Sequence, residues 1–234
     1  MKKIYSLFVI SLFYVLTSLN LNAQNLQVHY DFGKGRDFIT STFEYGKFTE
    51  KSNTFMFLDM DYSREDGASL AYWEISHDFK FNSLTEGIGL HLEYNDGLLF
   101  GNKETPALGF PIVRAYILGG SYPIKIGKFT INTMIGAKYF QGYDQSSIDA
   151  QITIVWFHMF WKDRITFSGF ADFWSQDLNN NGVKYGVFLS EPQLWYNINK
   201  SISIGGEVEL SKNFVPSDNG KFMARPTIAF KWNI

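Results

Sequence analysis

The chain has 234 residues, no cysteine, six prolines and a formal net charge of −2, with 45% hydrophobic and 19% charged residues. The length suits one large domain or two small ones, and the missing cysteine excludes disulfides, thiolate metal sites, thiol nucleophiles and a cysteine-linked lipid anchor. The small net charge gives no sign of a nucleic-acid partner, whereas 18% aromatic residues, among them 23 Phe, 13 Tyr and 6 Trp, exceed what an ordinary soluble domain requires.

In chain order, Lys2 and Lys3 precede an apolar run from Ile4 to Leu19, and Asn20-Leu21-Asn22-Ala23-Gln24 follows. These are the charged region, apolar region and small-residue cleavage site of a secretory signal peptide. The run is shorter than the roughly 20 apolar residues of a permanent transmembrane helix. Cleavage after Ala23 is expected, with a mature chain over 24–234. Losing the two lysines takes the formal charge from −2 to −4.

Beyond Gln24 the apolar residues recur with period two. Leu26, Val28, Tyr30 and Phe32 alternate with Gln27, His29 and Asp31, and Met56, Leu58, Met60 and Tyr62 alternate with Phe55, Phe57, Asp59 and Asp61. Such alternation marks strands with two different faces. Twelve strands are expected, over 25–32, 37–46, 53–62, 69–80, 87–96, 112–122, 126–140, 147–161, 164–175, 183–197, 201–212 and 222–234. Connections after odd strands are the longer ones, such as Gly97–Pro111. Those after even strands are mostly tighter, such as Lys162-Asp163. Long and short ends, and an even strand count, are features of an all-β, twelve-stranded antiparallel transmembrane β-barrel of a Gram-negative outer membrane. Both termini then lie in the periplasm.

One face of these strands carries Trp73, Ile75, Phe79, Phe129, Ile131, Ile135, Tyr139, Ile152, Ile154, Trp156, Ile228, Phe230 and Trp232, and no charged residue is expected on it. Charge facing hydrocarbon costs about 2–4 kcal/mol at the midplane. A secreted β-sandwich or soluble barrel, with the apolar face turned inward, is the competing architecture. Aromatics near strand ends, such as Tyr45, Phe48, Phe79, Phe81, Phe173 and Trp174, suit the two interfacial girdles of a membrane barrel. The apolar end of the last strand suits recognition by the barrel-assembly machinery.

By the same parity the inward face carries an acidic belt: Asp59, Asp61, Glu74, Glu93, Asp172, Glu191, Glu207 and Glu209, with Arg114 and Arg225. Phe55, Phe57, Tyr72, Tyr116, Phe170, Trp174, Tyr185 and Trp195 are interleaved with it. One reading is a narrow channel in which rings stack on a small polar solute and carboxylates accept its hydrogens. The other is a closed structural or surface-binding barrel whose charges pair across the interior. The surplus of acids favours cations or neutral solutes over anions.

Enzymatic patterns are weaker. An outer-membrane phospholipase needs His and Ser two apart on one outward face, but His77 is followed there by Phe79 and His158 by Phe160. His91 and Glu93 share a face and could begin a metal site, for which a third ligand is not evident. No catalytic residue, metal or cofactor is assigned.

Thr42-Phe43-Glu44, Asn53 to Asp59, and Tyr72-Trp73-Glu74-Ile75-Ser76 resemble the Tsx-like nucleoside-specific channel family. The chain departs from that family's pattern at Trp73 and at His77-Asp78. The whole mature chain is similar to a related uncharacterised family of Gram-negative outer-membrane proteins. That likeness is carried by Leu26–Gly33, Met60–Tyr62, Ser190–Trp195 and Pro226–Asn233. The resemblance implies a monomeric barrel in outer-membrane lipid, passing nucleosides or similar small solutes, with Phe55, Phe57, Asp59, Tyr72 and Glu74 along the path.

Overall fold

The computed structural model describes residues 23–63, 65–81, 87–102, 104–105, 108–127, 129–142, 148–177 and 181–234. The signal segment expected over 1–23 lies outside the described residues apart from Ala23. Parts of the connections expected at 63–68, 97–111, 141–146 and 176–182 lie outside them too. The strands are β1 (Ala23–Asp31), β2 (Phe38–Phe48), β3 (Ser52–Ser63), β4 (Gly67–Lys80), β5 (Gly89–Leu99), β6 (Phe110–Ile126) and β7 (Phe129–Gln141). They continue with β8 (Ile148–Phe160), β9 (Ile165–Gln176), β10 (Tyr185–Ser190), β11 (Gln193–Asn197), β12 (Ile202–Lys212) and β13 (Phe222–Asn233). One 3₁₀ turn, Pro216–Asp218, interrupts the last connection.

Apart from β10 and β11, consecutive strands pair antiparallel, and β1 pairs with β13 through seven residues from Asn25↔Asn233 to Asp31↔Thr227, so the sheet closes. β10 and β11 form a single stave, because both pair with β9 on one side and β12 on the other. The break falls at Glu191-Pro192, where the expected strand 183–197 was continuous. Pro192 has no N–H to give a ladder, while its carbonyl still accepts from Val208 at 3.1 Å. The result is a twelve-stave antiparallel barrel, as the alternation predicts. Its uninterrupted staves run from 9 to 17 residues, enough to cross a bilayer when tilted.

The distribution of side chains decides between a soluble and a membrane barrel. Among the described residues nineteen polar or charged residues are buried against nine hydrophobic ones, whereas Ile135, Ile228, Leu194 and Leu118 stand out on the outer face, each more than half exposed. A soluble fold buries the opposite set. The apolar face therefore meets hydrocarbon and the polar face lines the interior.

Aromatic pairs gather at both rims. At the end carrying the longer loops, Tyr94, Tyr116 and Tyr139 form a ladder with centroids 5.1 and 6.4 Å apart, and Phe188 stacks on Phe222. At the opposite end His77 meets Phe79, and Phe129 meets His158. Trp156 leans over Gly169, whose φ of 145° and lack of a side chain leave room for the indole; a Cβ there would lie 2.9 Å from the ring. Amphipathic rings at two levels suit the two polar–apolar boundaries of a membrane.

The outer face is not free of charge, contrary to the expectation. Asp96 sits at a bulge between Asn95 and Gly97, where its partner in β4 is the outward Trp73. It accepts from Tyr94 Oη at 2.5 Å, from Gly97 N at 2.8 Å and from Arg114 Nε at 3.1 Å. The pair lies at the tyrosine rim, where the cost of charge falls to about 0–1 kcal/mol.

Candidate functional site

Two adjacent rows of inward residues run across the first staves. Gln27, Thr42, Asp59 and Tyr72 make one, and Asn25, Glu44, Phe57, Glu74 and Asn95 the next. Period-two geometry places these side chains on the same face because each is in direct register with its neighbour. Tyr72 Oη donates to Glu74 at 2.6 Å, and Asn25 donates to Glu44 at 2.7 Å. Thr42 bonds Asp59. The rings of Phe55, Phe57 and Tyr72 form a continuous strip, with centroids 6.3 and 6.0 Å apart.

The facing wall is built from β9 to β12. Phe170 and Asp172 of β9, Gln193 of β11 and Glu207 of β12 point inward, with Glu191 at the break in the stave. Charges from the two walls act on each other across the lumen. Glu191 is within electrostatic reach of Glu207, Asp59 and Glu74, and Glu74 of Glu93, Asp172 and Lys138. Glu207 is likewise coupled to Asp59 and Glu44. Asp59, Glu74, Glu93, Asp172, Glu191 and Glu207 thus form one cluster in the middle of the barrel, whereas Asp61 lies within reach of Arg36, Asp31 and Glu209 at the long-loop end.

The lumenal bases are engaged on the walls. Lys231 Nζ lies 3.8 Å from the centre of the fully buried Trp195 ring, and Lys138 Nζ lies 4.3 Å from that of Trp174 while donating to Gln151 at 2.7 Å. Such placements over an indole face are cation–π contacts. His91 sits between Asp78 and Glu93 at 2.9 and 3.0 Å. His29 is held by Thr227 and Gln27 and meets the Trp195 ring edge-on. The pair His91–Glu93 therefore gains Asp78 as a hydrogen-bonding neighbour. Among the described residues no three His, Asp or Glu side chains form a group that could hold a metal ion.

The long-loop end is constricted in two ways. On one side Arg36 bridges Asp31 at 2.8 Å and Glu209 at 2.5 Å, and Arg225 bridges Glu209 at 3.0 Å and Asp218 at 2.5 Å. Gly33 packs flat on this chain, since a Cβ there would lie 2.6 Å from Arg225 Cβ. On the other side Ala115, Phe140, Trp174 and Val187 form a small apolar core, against which Phe214 of the last loop sets its ring edge. The opposite end is wider: the inward residues Thr130, Asn132, Val155, Phe157 and Met159 are all exposed.

Of the residues singled out in the sequence, Phe55, Phe57, Asp59, Asp61, Tyr72, Glu74, Glu93, Asp172, Glu191, Trp195, Glu207, Glu209 and Arg225 all face inward. They divide by position. Glu209 and Arg225 belong to the mouth network, and Trp195 is a wall residue beneath Lys231. Arg114 and Tyr116 are corrections: both lie on the outer face, Tyr116 opposite Tyr94 and Arg114 with its side chain 46% exposed. The inward residues of that stave are Val113, Ala115 and Ile117, as apolar as its outward ones, so hydrophobic alternation could not assign its faces. Arg36 and Asp218 were missed because they lie in connections, which have no periodicity. Asn95 was missed because a neutral amide carries no charge to flag it.

A family model described as a domain of unknown function, DUF5020, matches residues 23–234. The chain belongs to the DUF5020 family. This match spans the whole barrel. No curated protein sequence matches the chain. Among solved structures the barrel is similar to the NanC porin, with a TM-score of 0.59 and 10% identity over 91% of this chain and all of that one. It is also similar to outer membrane phospholipase A from Escherichia coli, with a TM-score of 0.53 and 13% identity over 92% of this chain and 93% of that one. The KdgM porin aligns at a TM-score of 0.49 and 7% identity, over 91% and 99% of the two chains. At such identities the likeness is one of fold. On the outer face His77 Nδ1 lies 2.9 Å from Thr54 Oγ1, and its neighbour two residues on is Phe79.

Proposed function

We propose that this chain is a monomeric outer-membrane channel for small polar solutes, delivered by a signal peptide over 1–23 and inserted by the barrel-assembly machinery. The observation that carries this reading is the inner surface of β3. Every residue of that strand is partly exposed, so Phe55, Phe57 and Asp59 border open space on the lumenal side while Met56 and Leu58 border lipid. A barrel sealed throughout would bury one of the two faces. The fold likeness to the NanC porin supports the same reading. The wider end faces the periplasm together with both termini, and the mouth network guards the outside.

Solutes pass between the aromatic strip of β3 and β4 and the carboxylates opposite. Rings stack on flat or apolar parts, and carboxylates accept hydrogens. The segments at 42–44, 53–59 and 72–76 make nucleosides the first solutes to assay. Refolded protein in planar bilayers tests the channel: discrete conductance steps are expected, and a silent membrane after verified insertion would refute it. The nucleoside reading fails separately, if uridine at millimolar concentration leaves the current unchanged.

A further inference from the structure

We propose that the middle of the lumen binds small organic ammonium ions, monoamines and diamines, through Asp59, Glu74, Asp172 and Glu207 with the rings of Phe57 and Tyr72 beside them. This names the solute class for the channel proposed above and rests on that reading for its transport role, though the binding itself does not.

Four observations lead there. The carboxylates from opposite walls lie within electrostatic reach of one another, and the nearby bases, though within reach of them, are held on the walls. Lys231 and Lys138 rest on indoles, and both arginines of the mouth are bound to Asp31, Glu209 and Asp218. Next, among the described residues the lumenal atoms left without a hydrogen-bond partner at this level are Asp59 Oδ1, Asn95 Oδ1 and Asp172 Oδ1. All three are acceptors. Asn95 is only 3% exposed and stands in register with Glu74 on the lumenal face, beside the cluster. Buried polar atoms in folded proteins are nearly always satisfied, and a ligand that brings donors satisfies such acceptors.

The third observation is the aromatic strip. Phe57 and Tyr72 lie 6.0 Å apart on the wall that carries Asp59 and Glu74. A ring face beside a carboxylate suits an alkylammonium group, which gains from the quadrupole and the ion pair together. Fourth, the carboxylates are spaced around the lumen: among the described residues no three stand close enough together to hold a metal ion. Acceptors distributed along a tube favour a cation that is itself extended, with ammonium groups separated by methylenes. An anion meets the surplus of negative charge, and a neutral solute leaves that charge unbalanced.

The experiment measures 1,4-diaminobutane binding to detergent-refolded protein by calorimetry, with uridine and gluconate as neutral and anionic comparators. Diaminobutane binds and gluconate does not. The Asp59→Asn/Glu207→Gln pair weakens diaminobutane by at least about tenfold, whereas Glu104→Gln, in an exposed loop position, leaves it unchanged. Heat-modifiable migration on gels verifies that each variant is folded. Equal binding of the three solutes, or none, overturns the proposal, as does an Asp59/Glu207 variant with unaltered affinity. Bilayer recording separates the two readings. Ordered binding without conductance removes the channel and keeps the site, and conductance with no cation preference and no diamine block removes the site and keeps the channel.

Discussion

Arg225→Met offers a quantitative test of the mouth network. Arg225 is buried, and its guanidinium donates to Glu209 at 3.0 Å, to Ser211 at 3.3 Å and to Asp218 at 2.5 Å. Methionine keeps the apolar stem and removes every donor. Glu209 retains Arg36 at 2.5 Å and Ser211 at 2.8 Å, but buried Asp218 loses the arginine. Breaking a buried pair from one side costs about 3–5 kcal/mol, because a charge is left desolvated and uncompensated. The surviving Arg36 bond puts the expected loss at the lower end, about 3 kcal/mol, roughly a hundredfold in the unfolding equilibrium. Urea unfolding of detergent-refolded protein, followed by tryptophan fluorescence, measures it. Adding Asp218→Asn removes the stranded charge, so the double variant recovers at least about 1 kcal/mol relative to additivity. A single-variant loss below about 1 kcal/mol, or strict additivity, would refute the assignment of the network as a connected unit.

Five further substitutions, at four positions, probe the faces and the wall. Ile135→Lys places a charge on the lipid face at mid-strand and costs about 2–4 kcal/mol, whereas Phe157→Lys, on the exposed inner surface, stays within about 0.5 kcal/mol; equal effects in unfolding assays would invalidate the division into faces. Trp195→Ala removes a fully buried indole, with its bond to Gln193 at 3.0 Å and the seat of Lys231, and lowers stability by about 3–5 kcal/mol. Trp195→Phe, which keeps a ring under the ammonium, is expected to lose less than half of that. Gly169→Ala forces a Cβ towards the Glu191 carbonyl and the Trp156 ring at a φ of 145°, and costs about 1–3 kcal/mol; unchanged stability would show that the backbone there relaxes freely.

The sequence revealed the barrel because a charge cannot face lipid at mid-membrane. Asp59, Glu74, Asp172 and Glu207 each fixed the parity of their stave, and period two carried that assignment to Phe55, Phe57 and Tyr72. Where a stave is apolar on both faces the signal vanishes. β6 packs Val113 and Ala115 inward against Phe140 and Trp174, buries Ile117 on the same face and turns Leu118 outward towards lipid, so the side of Arg114 is not legible from alternation. Asp96 keeps the ordinary outward parity of β5 opposite Trp73, and the register shift beside it lies in the pairing with β6, which a single strand's alternation does not encode. The clustering of acids from opposite walls, and the engagement of Lys138 and Lys231 by indoles, depend on closure in three dimensions. No spacing along the chain encodes them.

That engagement determines the field in the lumen. Lys138 is within electrostatic reach of Glu74, Glu93, Asp172 and Asp149, so its ammonium could neutralise the cluster by swinging inward. The indole of Trp174 holds it on the wall instead, with Phe140 at 5.1 Å on the same ammonium. A cation–π contact shielded from water is worth about 2 kcal/mol, which is comparable to one ion pair near a protein surface. Trp174→Leu keeps the apolar core filled and removes most of that restraint. Lys138 then moves towards the carboxylates, and the reversal potential in a potassium chloride gradient shifts from the cation side towards zero. The companion variant Trp174→Leu/Lys138→Met restores cation preference, because no ammonium remains to enter. A reversal potential unaltered by Trp174→Leu would mean that the lumenal lysine is positioned by Gln151 alone and that the aromatic wall has no part in selectivity.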